Sequence, residues 1–169
     1  MDAQTMDLVK RSAQASVRYA TLAGVGLVVL NLLSKIPFIG LAFSCLLFFG
    51  ALGAAAGIAY LIAPKMTNLP YGQSKPMLAL WIGLGVAIPL MVALVITNLI
   101  GTFWDIFANH YTLIGSLFSI IGAIVGGLIG GLLVGTALAW VGGFFSLDRN
   151  PYLAAATQPP PPPYPGQSF

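Results

Sequence analysis

The single histidine of the chain, His110, lies five residues after Asp105, and no other pair of side chains is placed to share a proton or a metal ion. The spacing argues against both roles. Residues three or four apart share a helix face, whereas residues five apart do so poorly. One imidazole with one carboxylate also falls short of the ligand number that zinc or haem iron requires. Cys45 is the sole cysteine, so it has no intrachain disulfide partner, and no histidine or acid near it in sequence could activate it as a nucleophile. The acids are Asp2, Asp7, Asp105 and Asp148, with no glutamate at all, and each falls beside an apolar run rather than within one. Ion-coupled carriers and membrane enzymes place ionisable groups inside the bilayer, and the spans read here have none at their centres. Nor is there a phosphate-binding loop, because the glycines lack the Lys and Ser/Thr that such a loop needs. The expectation is a chain without catalytic or metal-ligating residues, and its residues name no cofactor.

What the sequence offers instead is glycine at helical spacing. The run Leu113–Phe145 has no charge and carries two rows, Gly122, Gly126 and Gly130, and, one residue round, Gly127, Gly131 and Gly135. A third row, Gly50, Gly53 and Gly57, lies in an earlier apolar run beside Ala54 and Ala55. Rows without side chains let helix backbones approach in lipid, where van der Waals packing stands in for the missing hydrophobic drive. Packing within the chain, packing on another subunit and packing on a flat cofactor such as a chlorin or quinone all ask for this same surface. The intramembrane polar residues Asn31, Ser44, Thr97, Asn98, Ser116, Ser119 and Thr136 form no polar row and read as hydrogen bonds between helices.

The elements that carry these rows follow from composition. The chain has 169 residues, 58% hydrophobic and 7% charged, where soluble domains run near a quarter charged. Several apolar runs approach or exceed the roughly 20 residues that cross a bilayer. The predicted fold is an all-α integral membrane protein with four transmembrane helices in an up-down bundle, spanning about 17–34, 38–63, 77–100 and 118–143. The membrane domain covers 17–146. Residues 1–16 precede it as an amphipathic segment with Met6, Val9, Ala13 and Val17 on one face and Lys10, Arg11 and Arg18 between them. No cleavage site of small residues follows the first apolar run, so it reads as an uncleaved helix rather than a signal peptide. Pro37 makes Ser34–Pro37 a tight turn between the first two spans, which form an antiparallel hairpin, and Pro64 stops the second. Pro89 removes a backbone hydrogen bond and crowds the carbonyl of Gly85, which predicts a kink there. The final run of 33 residues would measure about 50 Å as one straight helix, so it must protrude, tilt or break at a glycine.

Orientation comes from the basic residues. Lys10, Arg11, Arg18, Lys65, Lys75 and Arg149 fall on one side and Lys35 alone on the other, which predicts cytoplasmic N- and C-termini. Trp104, Phe107 and Tyr111 follow the pattern of an interfacial aromatic belt on the opposite side. Residues 147–169 end in QPPPPPYPGQSF, expected to be extended, disordered polyproline. Within it Pro161, Pro162 and Tyr164 fit the PPxY pattern that WW domains bind.

Seven scattered Lys and Arg provide no nucleic-acid face. The partners expected are the lipid bilayer and other membrane helices, from a different protein or from further copies of this chain. The function read from these residues is that of a non-enzymatic accessory or scaffolding subunit of a membrane complex. Two alternatives stand beside it, a homo-oligomeric pore for small solutes and a membrane-anchored adaptor that docks partners through its PPPPPY tail.

Overall fold

A computed structural model describes residues 2–109 and 112–158, and all regular structure within them is helical. The elements are α1 (Ala3–Leu33), α2 (Gly40–Ile62), α3 (Lys75–Asn109), α4 (Leu113–Ile129), one turn of π-helix (Gly130–Val134), α5 (Gly135–Ser146) and the short α6 (Leu153–Thr157). Four stretches are long and apolar enough to cross a membrane: Ala3–Leu33, Gly40–Lys65, Lys75–Ala108 and Ile114–Arg149. Their outward surfaces are Val, Leu, Ile and Phe, as a lipid environment requires.

α1 is one continuous helix of 31 residues, where the sequence pattern had placed an amphipathic segment before a separate span. Of the apolar face read from the sequence, Val9 is buried and Ala13 half-buried. Met6 and Val17 are about half exposed, while Thr5, Leu8, Val9, Ser12 and Ser16 are buried. The reason lies in the hydroxyls. Ser12 Oγ donates to the Val9 carbonyl and Ser16 Oγ to the Ala13 carbonyl, so each serine satisfies itself on its own helix and presents a small, flat surface.

α3 is the element on which the others are laid. α1 runs parallel to it, with Ser12 against Gly85, Gly24 against Ala93, and Asn31 Nδ2 donating to the Thr97 carbonyl at 3.0 Å. On a second flank α3 receives α4 and α5, which run antiparallel to it. α2 closes the bundle by packing on α1 and α5. The turn joining α1 to α2 places Phe38, fully exposed, at φ +70°, a conformation uncommon for a bulky residue.

Charge marks both ends of the bundle. Lys35 pairs with Asp105 at 2.6 Å at one end, and Lys75 with Asp148 at 2.7 Å at the other. Lys75 and Asp105 are about 45 Å apart along α3, more than the roughly 30 Å of hydrocarbon in a bilayer. At the Lys75 end Asn150, almost fully buried, ties the strands of chain together. Its Nδ2 donates to the Ala63 and Met66 carbonyls, both at 2.8 Å, and its Oδ1 accepts from the Tyr152 N–H. The Gly72 N–H donates to the Ala156 carbonyl and Arg11 to the Thr67 and Asn68 carbonyls, so the α2–α3 loop is held from two sides.

Candidate association surface

The two adjacent glycine rows of the last span have different fates. Gly127, Gly131 and Gly135 are buried against α3. A Cβ added to Gly131 would stand 2.5 Å from Met91 Cα, and one on Gly127 would stand 2.9 Å from Val95 Cα. Gly135 is less tight, with Ala87 Cβ at 3.7 Å. The row continues beyond the residues that the sequence pattern picked out, through Ala139 and Gly143, which are also buried. Opposite it α3 offers Ala79, Gly83, Ala87, Met91 and Val95, likewise four apart. Gly143 meets Ala79 and the Ala139–Trp140 backbone meets Gly83, so the two rows pair in strict antiparallel order.

A row with a step of four residues drifts by about 40° per step around an α-helix. Left uncorrected, it would wrap away from α3 before its fifth member. The wider turn at Gly130–Val134 winds less per residue and brings the row back. This turn begins at glycine, within a stretch that stays helical from Ile114 to Arg149.

Gly122, Gly126 and Gly130 face nothing. A Cβ on any of them would meet no atom within 4 Å. The same holds for Gly53 and Gly57 of α2, while Gly50 lies in ordinary contact with Leu27 and Leu30. α4 rests chiefly on α3, and the last span is the least enclosed of the four, with 11% of its most apolar window buried against 39% for α3. Between α2, α3 and α4 there remains a cavity of about 240 Å³, floored by Leu90 and Leu94 and rimmed by Gly126 and Gly130 on one side and Phe48 and Leu52 on the other. Asn98 borders it and reaches toward the Ala123 carbonyl at 3.5 Å.

No protein-family model, curated protein or solved structure matches this chain. The surface must therefore be read from its own geometry.

The remaining sequence candidates fall elsewhere. Gly85 is where Ser12 of α1 seats; a Cβ there would collide with Ser12 Oγ and the Val9 carbonyl. α3 remains helical through Pro89, which sits four residues on from Gly85 beside a groove facing α1. Asp105 is engaged by Lys35. His110, Pro161, Pro162 and Tyr164 lie outside the described residues. Among the described residues no three His, Cys, Asp or Glu gather in a metal-sized cluster.

Several packing positions were not singled out from sequence. Ser12, Ser16, Ala20 and Gly24 make a small-residue row on α1, and Gly85, Pro89, Ala93, Thr97 and Gly101 run along the α3 flank on which it lies. Gly142 lets α5 touch α2, since a Cβ there would strike the Ala56 carbonyl. Gly101 leaves room for the Asn31 amide, whose Nδ2 would be 2.5 Å from an added Cβ. The signal was present in the spacing, but only when Ser and Ala are counted with Gly as small residues.

Proposed function

We propose that this chain is a non-enzymatic, multi-pass membrane subunit that works by lateral association. Other membrane helices would engage the open face of α4 and the neighbouring face of α2. The observation that carries this reading is the split between rows: Gly127, Gly131 and Gly135 are used within the chain, while Gly122, Gly126 and Gly130 form an equally smooth face with nothing on it. A glycine costs helix stability about 0.5–1 kcal/mol relative to alanine. Three unused glycines in register are therefore poorly explained by the folding of one chain, and close approach of another helix explains them. The excess of Lys and Arg on the side of the termini supports a cytoplasmic N-terminus and C-terminus.

The test is gentle solubilisation of native membranes, purification through an N-terminal tag, and native mass determination with identification of what is recovered. The expected result is a larger complex that contains other subunits and is lost in Gly126→Leu and Gly130→Leu. Intact assembly in both variants would refute the open-face argument. A homo-oligomer with nothing else bound would replace the accessory role with self-association, the arrangement from which a pore would be built.

A further inference from the structure

A second surface, on the opposite flank of α3, carries a different inference. Between α1 and α3 runs a slot of about 600 Å³ that opens to the membrane. Its floor is Ala20, Gly24 and Ala93, and its walls are branched aliphatics such as Val25, Val29, Val92 and Ile96. Its single hydroxyl, from Thr21, is committed to the Val17 carbonyl of its own helix at 2.9 Å. The slot therefore offers no hydrogen bond and fits a hydrocarbon chain.

What stands at its end is a cation. Arg18 lies at i, i+3 and i+7 with Thr21 and Val25, so it continues the α1 wall of the slot toward the N-terminus. Arg18 is exposed and has no hydrogen bond or ion pair among the described residues. Because α1 is continuous, Arg18 is also deep. The uncharged stretch between Arg18 and Lys35 is Tyr19–Ser34, 16 residues, which rise about 24 Å. This is shorter than the roughly 30 Å of hydrocarbon in a bilayer, whereas the uncharged stretches of the second and third spans, Ile36–Pro64 and Pro76–Trp104, have 29 residues each. A span this short is accommodated by local thinning of the bilayer and by snorkelling of the flanking cation. Both bring a lipid phosphate to the Arg18 guanidinium, and a charge at that depth needs a counter-ion.

The geometry points to a binding site for one anionic phospholipid, taken from the leaflet on the N-terminal side. Its phosphate pairs with Arg18 and one acyl chain lies in the slot over Ala20, Gly24 and Ala93. This site is independent of the α4 face and of any protein partner.

The full-length chain, purified in detergent and supplied with equal dioleoyl phosphatidylglycerol and dioleoyl phosphatidylcholine, is examined by native mass spectrometry for retained lipid. A single cation near a membrane surface corresponds to a preference of about fivefold, so phosphatidylglycerol should be retained over phosphatidylcholine by roughly that factor. Arg18→Gln should abolish the preference and Arg18→Lys should keep it. Lys65→Gln, which removes an exposed cation on the same side but away from the slot, should leave it unchanged. Val92→Trp, which fills the slot from a half-exposed position, should lower retention of both lipids. Equal retention by the natural chain overturns the proposal, as does a preference that survives Arg18→Gln. Unchanged retention in Val92→Trp removes the slot from it. Arg18 and Val92 are both on the surface, and helicity by circular dichroism verifies that each variant is folded.

Discussion

Four glycines within one span allow the packing argument to be tested as a graded series of alanine substitutions. An added Cβ on Gly131 lies 2.5 Å from Met91 Cα and 2.8 Å from Met91 Cβ, and neither is a flexible chain end. Ordinary carbon contacts sit at about 3.5–4.0 Å, so α4 must retreat from α3 by roughly 1 Å or more. Overpacking of this kind costs about 1–3 kcal/mol, and Gly131→Ala belongs at the upper end because backbone must move. Gly127→Ala meets Val95 Cγ2 at 2.7 Å and Val95 Cα at 2.9 Å and should cost slightly less. Gly135→Ala meets Ala87 Cβ at 3.7 Å, a normal contact, and should be close to neutral. Gly126→Ala meets nothing and should stabilise the isolated chain by about 0.5–1 kcal/mol, the helix-propensity difference between glycine and alanine. The assay is reversible unfolding in mixed micelles with rising sodium dodecyl sulfate, followed by tryptophan emission and far-ultraviolet circular dichroism. The order expected is Gly131 worst, then Gly127, with Gly135 near the natural chain and Gly126 slightly above it. If Gly126→Ala destabilises the isolated chain as much as Gly131→Ala, the two rows are not distinct and the reasoning fails.

Asn150→Ala should destabilise the chain by about 1–3 kcal/mol, because it strips two buried carbonyls, Ala63 and Met66, of their donor; the same unfolding titration measures it, and a loss under 0.5 kcal/mol would show that those carbonyls find water. The Lys75–Asp148 pair, with the Asp148 side chain two-thirds exposed, should show a coupling below about 1 kcal/mol in a double-mutant cycle of Lys75→Met and Asp148→Asn. A coupling of several kcal/mol would mean that this end of the bundle is less hydrated than its exposure indicates.

The number of long apolar helices was legible in the sequence because hydropathy alone decides it. So was the mismatch between the last run and a bilayer, since 33 residues as one straight helix exceed it. The division of labour between glycine rows was not. Gly126 and Gly127 differ by one position on the same helix, and only the partner helix determines which of them is inside. The α1–α3 contact was hidden for a different reason: Ser12 and Ser16 read as polar, yet each bonds its own helix and packs as a small residue. On the apolar side of the N-terminal segment Val9 is buried, while Met6 and Val17 are half-exposed. Arg18, counted among the charges on the terminal side of the first span, lies within one continuous helix.

The wide turn at Gly130–Val134 carries a further consequence. α4 and α5 are two rods with separate azimuths, joined by a single register step. Deleting one residue from Leu132–Val134 would tighten that step and turn α4 by about 100° relative to α5. Counting back in fours from Gly135, the residues then set upon α3 would be Gly130, Gly126 and Gly122. The row now outside would become the row inside, and Gly127 and Gly131 would move outward in its place. Because both rows are glycine, α4 has two interchangeable seats on α3 and shows the membrane a smooth face from either one.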